Sequence, residues 1–461
     1  MDLLLAHGYF LALDAAEKRV MRPHPPLGIL YLSSHLKNKG VRVGVFDGTF
    51  GTLDDFTTML DRERPPIVGI AINLMTKRNA LAMIALAKQS GARVVIGGPD
   101  PPHHAAKYLA AGADVVVVGE GEQTLDELVR AFQSPGVDLS AINGIIFMAA
   151  DGSVVSTAAR AQLPDLDRQP YPDRDAIDLP AYLNAWRSHH GVGTVSLITA
   201  RGCPYTCTWC SRSVFGETHR RRSVVNVADE VEAIVDRYHP ERLWYADDVF
   251  AIHRTWTIAY AKELDKRRLH LPFECISRAE RIDDDVAAAL ASLGCWRVWI
   301  GSESGSQRIL DAMQRKVSAE QVREAAARLR RHGIEVGMFI MLGFDGENLA
   351  DLQATVDHLK RTAPDVFLTT VSYPIKGTPY YDKVADRLVS PVAWAEGTDR
   401  DLVVRGRPVR TYYDFARRWM TAEVAKDQQW RRGSYARAAR SASSALVGRL
   451  GMAVTANWRE R

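Results

Sequence analysis

"ITARGCPYTCTWCSRS", residues 198–213, places Cys203, Cys207 and Cys210 within eight positions, directly after an apolar run. The chain has five cysteines, an odd number with three of them crowded together, so a disulfide framework explains them poorly and thiolate metal binding explains them better. Structural zinc would want a fourth Cys or His, usually as two pairs of ligands, and the nearest candidate, His219, lies nine residues beyond Cys210 among arginines. Three thiolates on one loop can instead hold three irons of a [4Fe–4S] cluster and leave the fourth iron open to a ligand. Cys275 and Cys295, in "FECISR" and "LGCWRVWIG", read as small buried core residues.

Outward from this loop, the chain alternates strand and helix patterns on both sides. Before it, residues 2–6, 41–47, 67–72, 92–98 and 113–122 read as buried strands separated by helical stretches. That rhythm predicts a doubly wound parallel sheet with its ligand crevice at the carboxyl ends of the strands, near Asp47, Asn73, Gly97-Gly98 and Gly119. Residues 136–190 break the rhythm with "SPGVD" overlapping their start and "LPDLDRQPYPDRDAIDLP" within them, and read as a linker with a small hairpin at "GIIFMAADGSVV". A second alternation follows, with strands at 194–199, 242–246, 272–277, 296–301, 335–342 and 367–373. Six units predict an open, partial (β/α)6 barrel, and the cysteines follow its first strand at the end where barrel chemistry is placed. The expected organisation is therefore α/β: a Rossmann-type domain over 1–135, a linker over 136–190, a partial barrel over 191–385 and a helical extension over 386–461.

Composition narrows the partners. With 461 residues, 46% hydrophobic content and 59 basic against 55 acidic side chains, the chain is globular, and its net charge of +4 does not mark a nucleic-acid binder. No apolar run reaches the roughly 20 residues of a membrane span, and "MDLLLAHGYF" lacks the basic start of a secretory signal, so a cytoplasmic protein is expected.

The C-x3-C-x2-C spacing, the aromatic Trp209 before the third cysteine, the preceding Arg201-Gly202 and the strand context together resemble the radical S-adenosylmethionine superfamily. The resemblance implies that Cys203, Cys207 and Cys210 hold a [4Fe–4S] cluster whose open iron chelates S-adenosylmethionine. Reduction by an electron donor such as a flavodoxin or ferredoxin would then release a 5′-deoxyadenosyl radical. It also implies cofactor contacts at the other strand ends. Asp247 and Asp248 in "LWYADDVF" stand where the family binds the cofactor amino group. Arg278 is placed for the methionine carboxylate, with an ion pair to Glu280 as the alternative. Ser302, Glu303 and Ser304 are placed for the ribose, while Trp209 is placed near the adenine. Asp247, Asp248, Glu303 and Tyr245 are the candidates for acid–base catalysis.

The first domain, with its "VVVVGEGE" segment, resembles the cobalamin-binding-domain branch of that superfamily, which includes the anaerobic magnesium-protoporphyrin ester cyclase. In its methyltransferases, cobalamin carries a methyl group to the substrate radical. The family signature D-x-H-x-x-G aligns with "DGTFGT" (47–52), which keeps Asp47 and lacks the cobalt-ligating His and the last Gly. His103 and His104, after "PDPP", are alternative ligands, although adjacent histidines at a helix start are more often solvated caps. A degenerate signature and a compact chain resemble the apramycin-pathway enzyme acting on paromamine. That resemblance implies radical dehydration of a 1,2-diol on an aminosugar in antibiotic biosynthesis, with a separate nicotinamide-dependent reductase acting next. Cobalamin-dependent C-methylation is the alternative.

Reconstituted anaerobically with iron and sulfide, the protein is expected to show iron–sulfur absorption and to release 5′-deoxyadenosine under a reductant, and Cys207→Ala to lose both. Cofactor cleavage by the variant, or zinc in place of iron, would remove the cluster assignment.

Overall fold

A computed structural model describes every residue except Pro135, Val137 and Arg461, so the expected boundary at 135 and the last residue of the expected extension lie outside the described residues. The chain forms two compact units, Met1–Pro204 with Ser211–Trp244 and Val392–Thr398, and Tyr205–Cys210 with Tyr245–Pro391 and Asp399–Arg461.

In the first unit, strands β1 (Leu3–His7), β2 (Val43–Asp47), β3 (Ile67–Ala71), β4 (Arg93–Gly97) and β5 (Val115–Val117) pair in parallel in the order β2-β1-β3-β4-β5. Runs such as Leu3-Leu4-Leu5-Ala6 are apolar without alternation because both faces of the sheet are covered. One face packs Phe56 and Leu60 of helix α2 (Leu53–Glu63) and Met83 and Ile84 of α3 (Lys77–Gln89). The other packs Ile29 and Leu36 of α1 (Leu27–Asn38) and Leu125 and Leu128 of α4 (Glu122–Gln133). Helix α2 begins where Thr52 and Asp55 close a capping box. The strand order reverses between β1 and β3, which opens a crevice at their carboxyl ends.

The region expected to be a linker is more structured than its composition predicts. Its hairpin, β6 (Ile145–Met148) and β7 (Val154–Ser156), adds two antiparallel strands to β5, making the sheet seven-stranded. Residues Leu179–His190 form α5, capped by Asp178 and ended by Gly191, with Leu179, Tyr182 and Trp186 buried. The proline- and aspartate-rich composition hid that helix because its apolar face is short.

The first unit continues through β8 (Thr194–Leu197), a two-residue ladder of β9 (Ala200–Arg201) with β10 (Arg220–Arg221), helix α6 (Val224–Tyr238) and β11 (Arg242–Tyr245), whose last residue begins the second unit. Glu230 of α6 is fully enclosed and charge-paired with both Arg174, at 2.7 Å, and Arg222.

The second unit continues the alternation with α7 (Arg254–Arg267), β12 (Phe273–Ser277), α8 (Asp284–Ser292), β13 (Cys295–Glu303), α9 (Ala319–Arg331), β14 (Glu335–Leu342), α10 (Leu349–Thr362) and β15 (Val366–Val371). Its four strands are parallel in the order β12-β13-β14-β15. Counted along the chain, β8 and β11–β15 supply the six strands expected of the partial barrel. Two long helices, α11 (Arg410–Arg431) and α12 (Tyr435–Thr455), close the chain. They lie so close that a side chain at Gly448 would meet the Trp419 backbone nitrogen at 2.7 Å. Among the described residues no helix is long and apolar enough to cross a membrane.

Gly98, just after β4, has φ 111°, and a Cβ there would collide with the carbonyl oxygen of Ile72. Gly98→Ala is therefore expected to destabilise the first unit by more than ~2 kcal/mol, measured as a lower denaturation midpoint.

Candidate active site

None of the five cysteines is in a disulfide among the described residues: Cys207 is buried, Cys203 half-buried and Cys210 exposed, while Cys275 and Cys295 are buried in the core as expected. Cys203 belongs to the first unit, and Cys207 and Cys210 to the second. Among the described residues no three His, Cys, Asp or Glu side chains are gathered as a ready metal cage. The donor set nonetheless fits a cluster, because three thiols outside any disulfide are offered within eight residues of one loop without helix or strand. Backbone bonds from Thr208 to Met313 (3.1 Å) and from Tyr380 to Thr208 (2.9 Å) hold the Cys207–Cys210 turn.

Around Cys207 the surroundings are cationic. Burial pushes its thiol up, against the pull of Arg278, whose Nη1 lies 3.5 Å from Sγ; Arg315 Nη1 lies at 3.8 Å. These guanidiniums favour a thiolate and an anionic cluster. Arg278, at the end of β12, ion-pairs with Glu280, donates to the Arg315 carbonyl and stacks over Tyr205 at 3.8 Å. Tyr205 in turn accepts from Arg281 at 2.5 Å.

Arg315 gave no signal in the sequence. It is a buried guanidinium between Gln314 (φ 53°) and Lys316 (φ 51°), and two left-handed residues turn it inward. It donates to the Gly301 carbonyl at 2.6 Å and stands 4.0 Å from Glu303. On β13 the register runs Gly301 to Phe339 and then Glu303 to Ile340, so Ser302 is an extra residue. Glu303, with φ 59°, sits at this bulge with its carboxyl enclosed. Burial, opposed by Arg278, pushes Glu303 up to about 8.

The other sequence candidates divide. Ser302 bonds His358 and Ser304 bonds Thr355, each at 3.1 Å, so both hydroxyls turn toward α10. Tyr245 is buried with its hydroxyl 2.7 Å from that of Tyr260, among Phe250 and Phe273, and serves as core. Asp247 is buried. Asp248 is exposed, yet the surrounding protein and Asp247 raise its carboxyl above the usual range. Trp209 packs against Phe344, Tyr380 and Met341.

In the first unit, a pocket of about 150 Å³ opens at the carboxyl ends of the sheet, walled by Leu5, Ile70, Ile96 and Val117. Gly28, Gly97 and Gly119 line it, and nothing lies within 3.4 Å of where their Cβ atoms would be. Its rim is a buried ion network. Arg201 Nη1 meets Glu120 at 2.8 Å and Glu122 at 2.7 Å, and Arg220 meets Glu120 at 2.7 Å. The degenerate signature has its own chemistry, with Thr49 where a ligating histidine would stand. Asp47 accepts from Thr49 at 2.8 Å and from Tyr182 at 2.5 Å. Burial opposes its charge, and the nearby His7 ring at 4.0 Å with the bonds from Tyr182 and Thr49 holds its carboxyl below the usual range. His103 and His104 lie half-buried in a 3-10 turn, His104 6.0 Å from the Trp394 ring.

Residues 197–359 match the radical SAM superfamily, and residues 19–129 match the B12 binding domain. The two matches support the cobalamin-binding-domain branch of the radical SAM superfamily, and a radical SAM domain implies a [4Fe–4S] cluster and S-adenosylmethionine as cofactors. It is similar to an uncharacterized methyltransferase of Pyrococcus horikoshii, 29% identical over 85% of this chain and 86% of the relative. The anaerobic magnesium-protoporphyrin IX monomethyl ester cyclase of Rubrivivax gelatinosus is 27% identical over 82% and 71%. Cytidylyl-2-hydroxyethylphosphonate methyltransferase of Streptomyces wedmorensis is 26% identical over 77% and 76%. Among solved structures, the radical S-adenosylmethionine methyltransferase TsrM from Kitasatospora setae shares the fold with TM-score 0.70 and 20% identity, covering 85% of this chain and 78% of that one.

Arg315→Gln is expected to leave the circular dichroism spectrum unchanged and to slow 5′-deoxyadenosine release about tenfold or more, because a buried charged donor beside Cys207 and Glu303 is lost. Unaltered release would remove Arg315 from the site.

Proposed function

We propose that this protein is a cobalamin-dependent radical SAM C-methyltransferase acting on a small molecule. The observation that carries the reading is the glycine-lined apolar pocket at the carboxyl ends of β1, β3, β4 and β5, lined mostly by residues 28–125 of the stretch matching B12-binding domains and closed by Leu5, Ile198, Arg201, Val214 and Phe215. When bound, cobalamin supplies a methyl group, and the cluster with S-adenosylmethionine supplies a 5′-deoxyadenosyl radical. The chain's own residues then have separate tasks. Gly28, Gly97 and Gly119 would leave room for part of the corrinoid, and Thr49, where the family signature has histidine, offers no imidazole to it. Cys203, Cys207 and Cys210 hold the cluster, and Arg278 and Arg315 balance its negative charge. On this reading residues 1–135 carry cobalamin, 191–385 the radical chemistry and 386–461 part of the substrate enclosure. A flavodoxin or ferredoxin serves as electron donor.

The second reading is radical dehydration of a 1,2-diol on an aminosugar-type natural product, followed by a nicotinamide-dependent reductase. It is favoured by the enclosed carboxyl of Glu303, pushed up to about 8 by burial, which can keep a proton for a departing hydroxyl.

Gly28→Leu fills the pocket from a helical position with open space around it. The reconstituted wild-type protein is expected to retain about one equivalent of cobalamin and to consume two S-adenosylmethionine molecules per product. The variant is expected to lose cobalamin while keeping its cluster absorption. Turnover to a dehydrated product without cobalamin would overturn methyl transfer in favour of the second reading.

A further inference from the structure

The second unit contains a cavity of about 600 Å³ that is lined by none of the three clustered cysteines. One wall is the loop after β14, Phe344 to Leu349, and the others are residues 406–408, the start of α11 and the end of α12. Four arginines reach it, Arg387, Arg407, Arg449 and Arg459. Arg387 is neutralised by Asp345 at 2.9 Å, which Lys383 also approaches. Arg407 spends one nitrogen on the Gly343 and Ser372 carbonyls, at 3.3 and 2.6 Å, and its Nε is buried without a hydrogen-bond partner. Arg449 lies over Trp419, and its Nη1 is likewise buried and unpartnered. Arg459 is exposed and donates only to backbone carbonyls.

With Asp345 already paired, the other acid of the lining, Glu347, does not cancel the remaining charges. As a residue it is half-buried, but its carboxyl end is enclosed: Oε2 accepts the Gly343 amide at 2.5 Å, and Oε1 has no partner. Burial first, and Asp351 next, push it up to about 8, against Gly343, Arg308 and Arg407. At neutral pH it is a hydroxyl donor rather than a negative charge. Tyr412 and Tyr413, also raised by burial, stay neutral and offer aromatic faces. Uncommitted guanidiniums match the forked geometry of phosphate oxygens, and a cavity of this size with Phe344, Tyr412 and Tyr413 as walls holds more than a bare ion.

We propose that this cavity is a binding site for a ring-bearing organic phosphate, with Arg449 and Arg407 on the phosphoryl group and the aromatic wall on the ring. Phe344 lines the cavity and packs in the same cluster as Trp209, the neighbour of Cys210. On the function proposed above, the site therefore anchors the substrate; the binding itself stands or falls separately.

Calorimetric titration of the reconstituted full-length protein tests it with ribose 5-phosphate, ribose and ribonate as probes. Ribose 5-phosphate is expected to bind, ribose and ribonate to bind at least about tenfold more weakly, and Arg449→Gln to weaken the phosphate about tenfold. Above about pH 7 the phosphate stays dianionic. Its affinity should therefore fall as pH rises through 8 and Glu347 ionises, whereas Glu347→Gln should keep it level. Equal binding of ribose or ribonate, or an Arg449→Gln affinity equal to that of the wild type, overturns the proposal. Loss of 5′-deoxyadenosine release with phosphate binding intact would instead count against the radical function.

Discussion

The guanidinium of Arg201, held between Glu120 and Glu122 at 2.8 and 2.7 Å, joins the two motifs on which the protein is built. One is the "GEGE" turn after the last parallel strand of the first sheet; the other is the Arg-Gly step immediately before Cys203. Burial works against the charge, and the paired carboxylates more than offset it. Removing one member of such a group leaves an uncompensated buried charge and typically costs ~3–5 kcal/mol. The same contact also sets the rim of the apolar pocket, since Glu120, Glu122 and Arg201 all line it.

A comparable economy appears around Cys207. The bulge on β13 gives Glu303 a left-handed backbone and turns its carboxyl toward Arg315, while Gly301 leaves the space they need. A side chain at Gly301 would stand 2.5 Å from Arg315 Nη2 and 2.8 Å from Glu303. Gly301 and Glu303 share one face, and Ser302 and Ser304 share the other, where His358 and Thr355 take their hydroxyls.

Much of this was legible from residue patterns. Continuous apolar runs located the parallel strands to within a few residues, because strands buried on both faces cannot hide among polar neighbours. The cysteine spacing marked the loop on which a cluster is expected. Helix α5 was not legible, since its partners, Asp47 and Thr49 for Tyr182 and the Pro23 carbonyl for Trp186, lie more than a hundred residues away in sequence. Tyr245 illustrates the opposite case: a polar residue at a strand end, well placed by pattern, that the fold commits to an aromatic core through Tyr260.

By itself the sequence determined the alternation of strands and helices, the two sheet regions and the crowding of three thiols on one loop. These rest on local periodicity and on ligand chemistry that needs particular residue types. Only the tertiary structure decided which charged groups surround those thiols, which hydroxyls turn away from them, and that four arginines converge on one cavity beside a buried Glu347. The physical reason is that burial and desolvation are properties of a place in three dimensions, and Arg278, Arg315 and Arg449 look alike until the chain around them has folded.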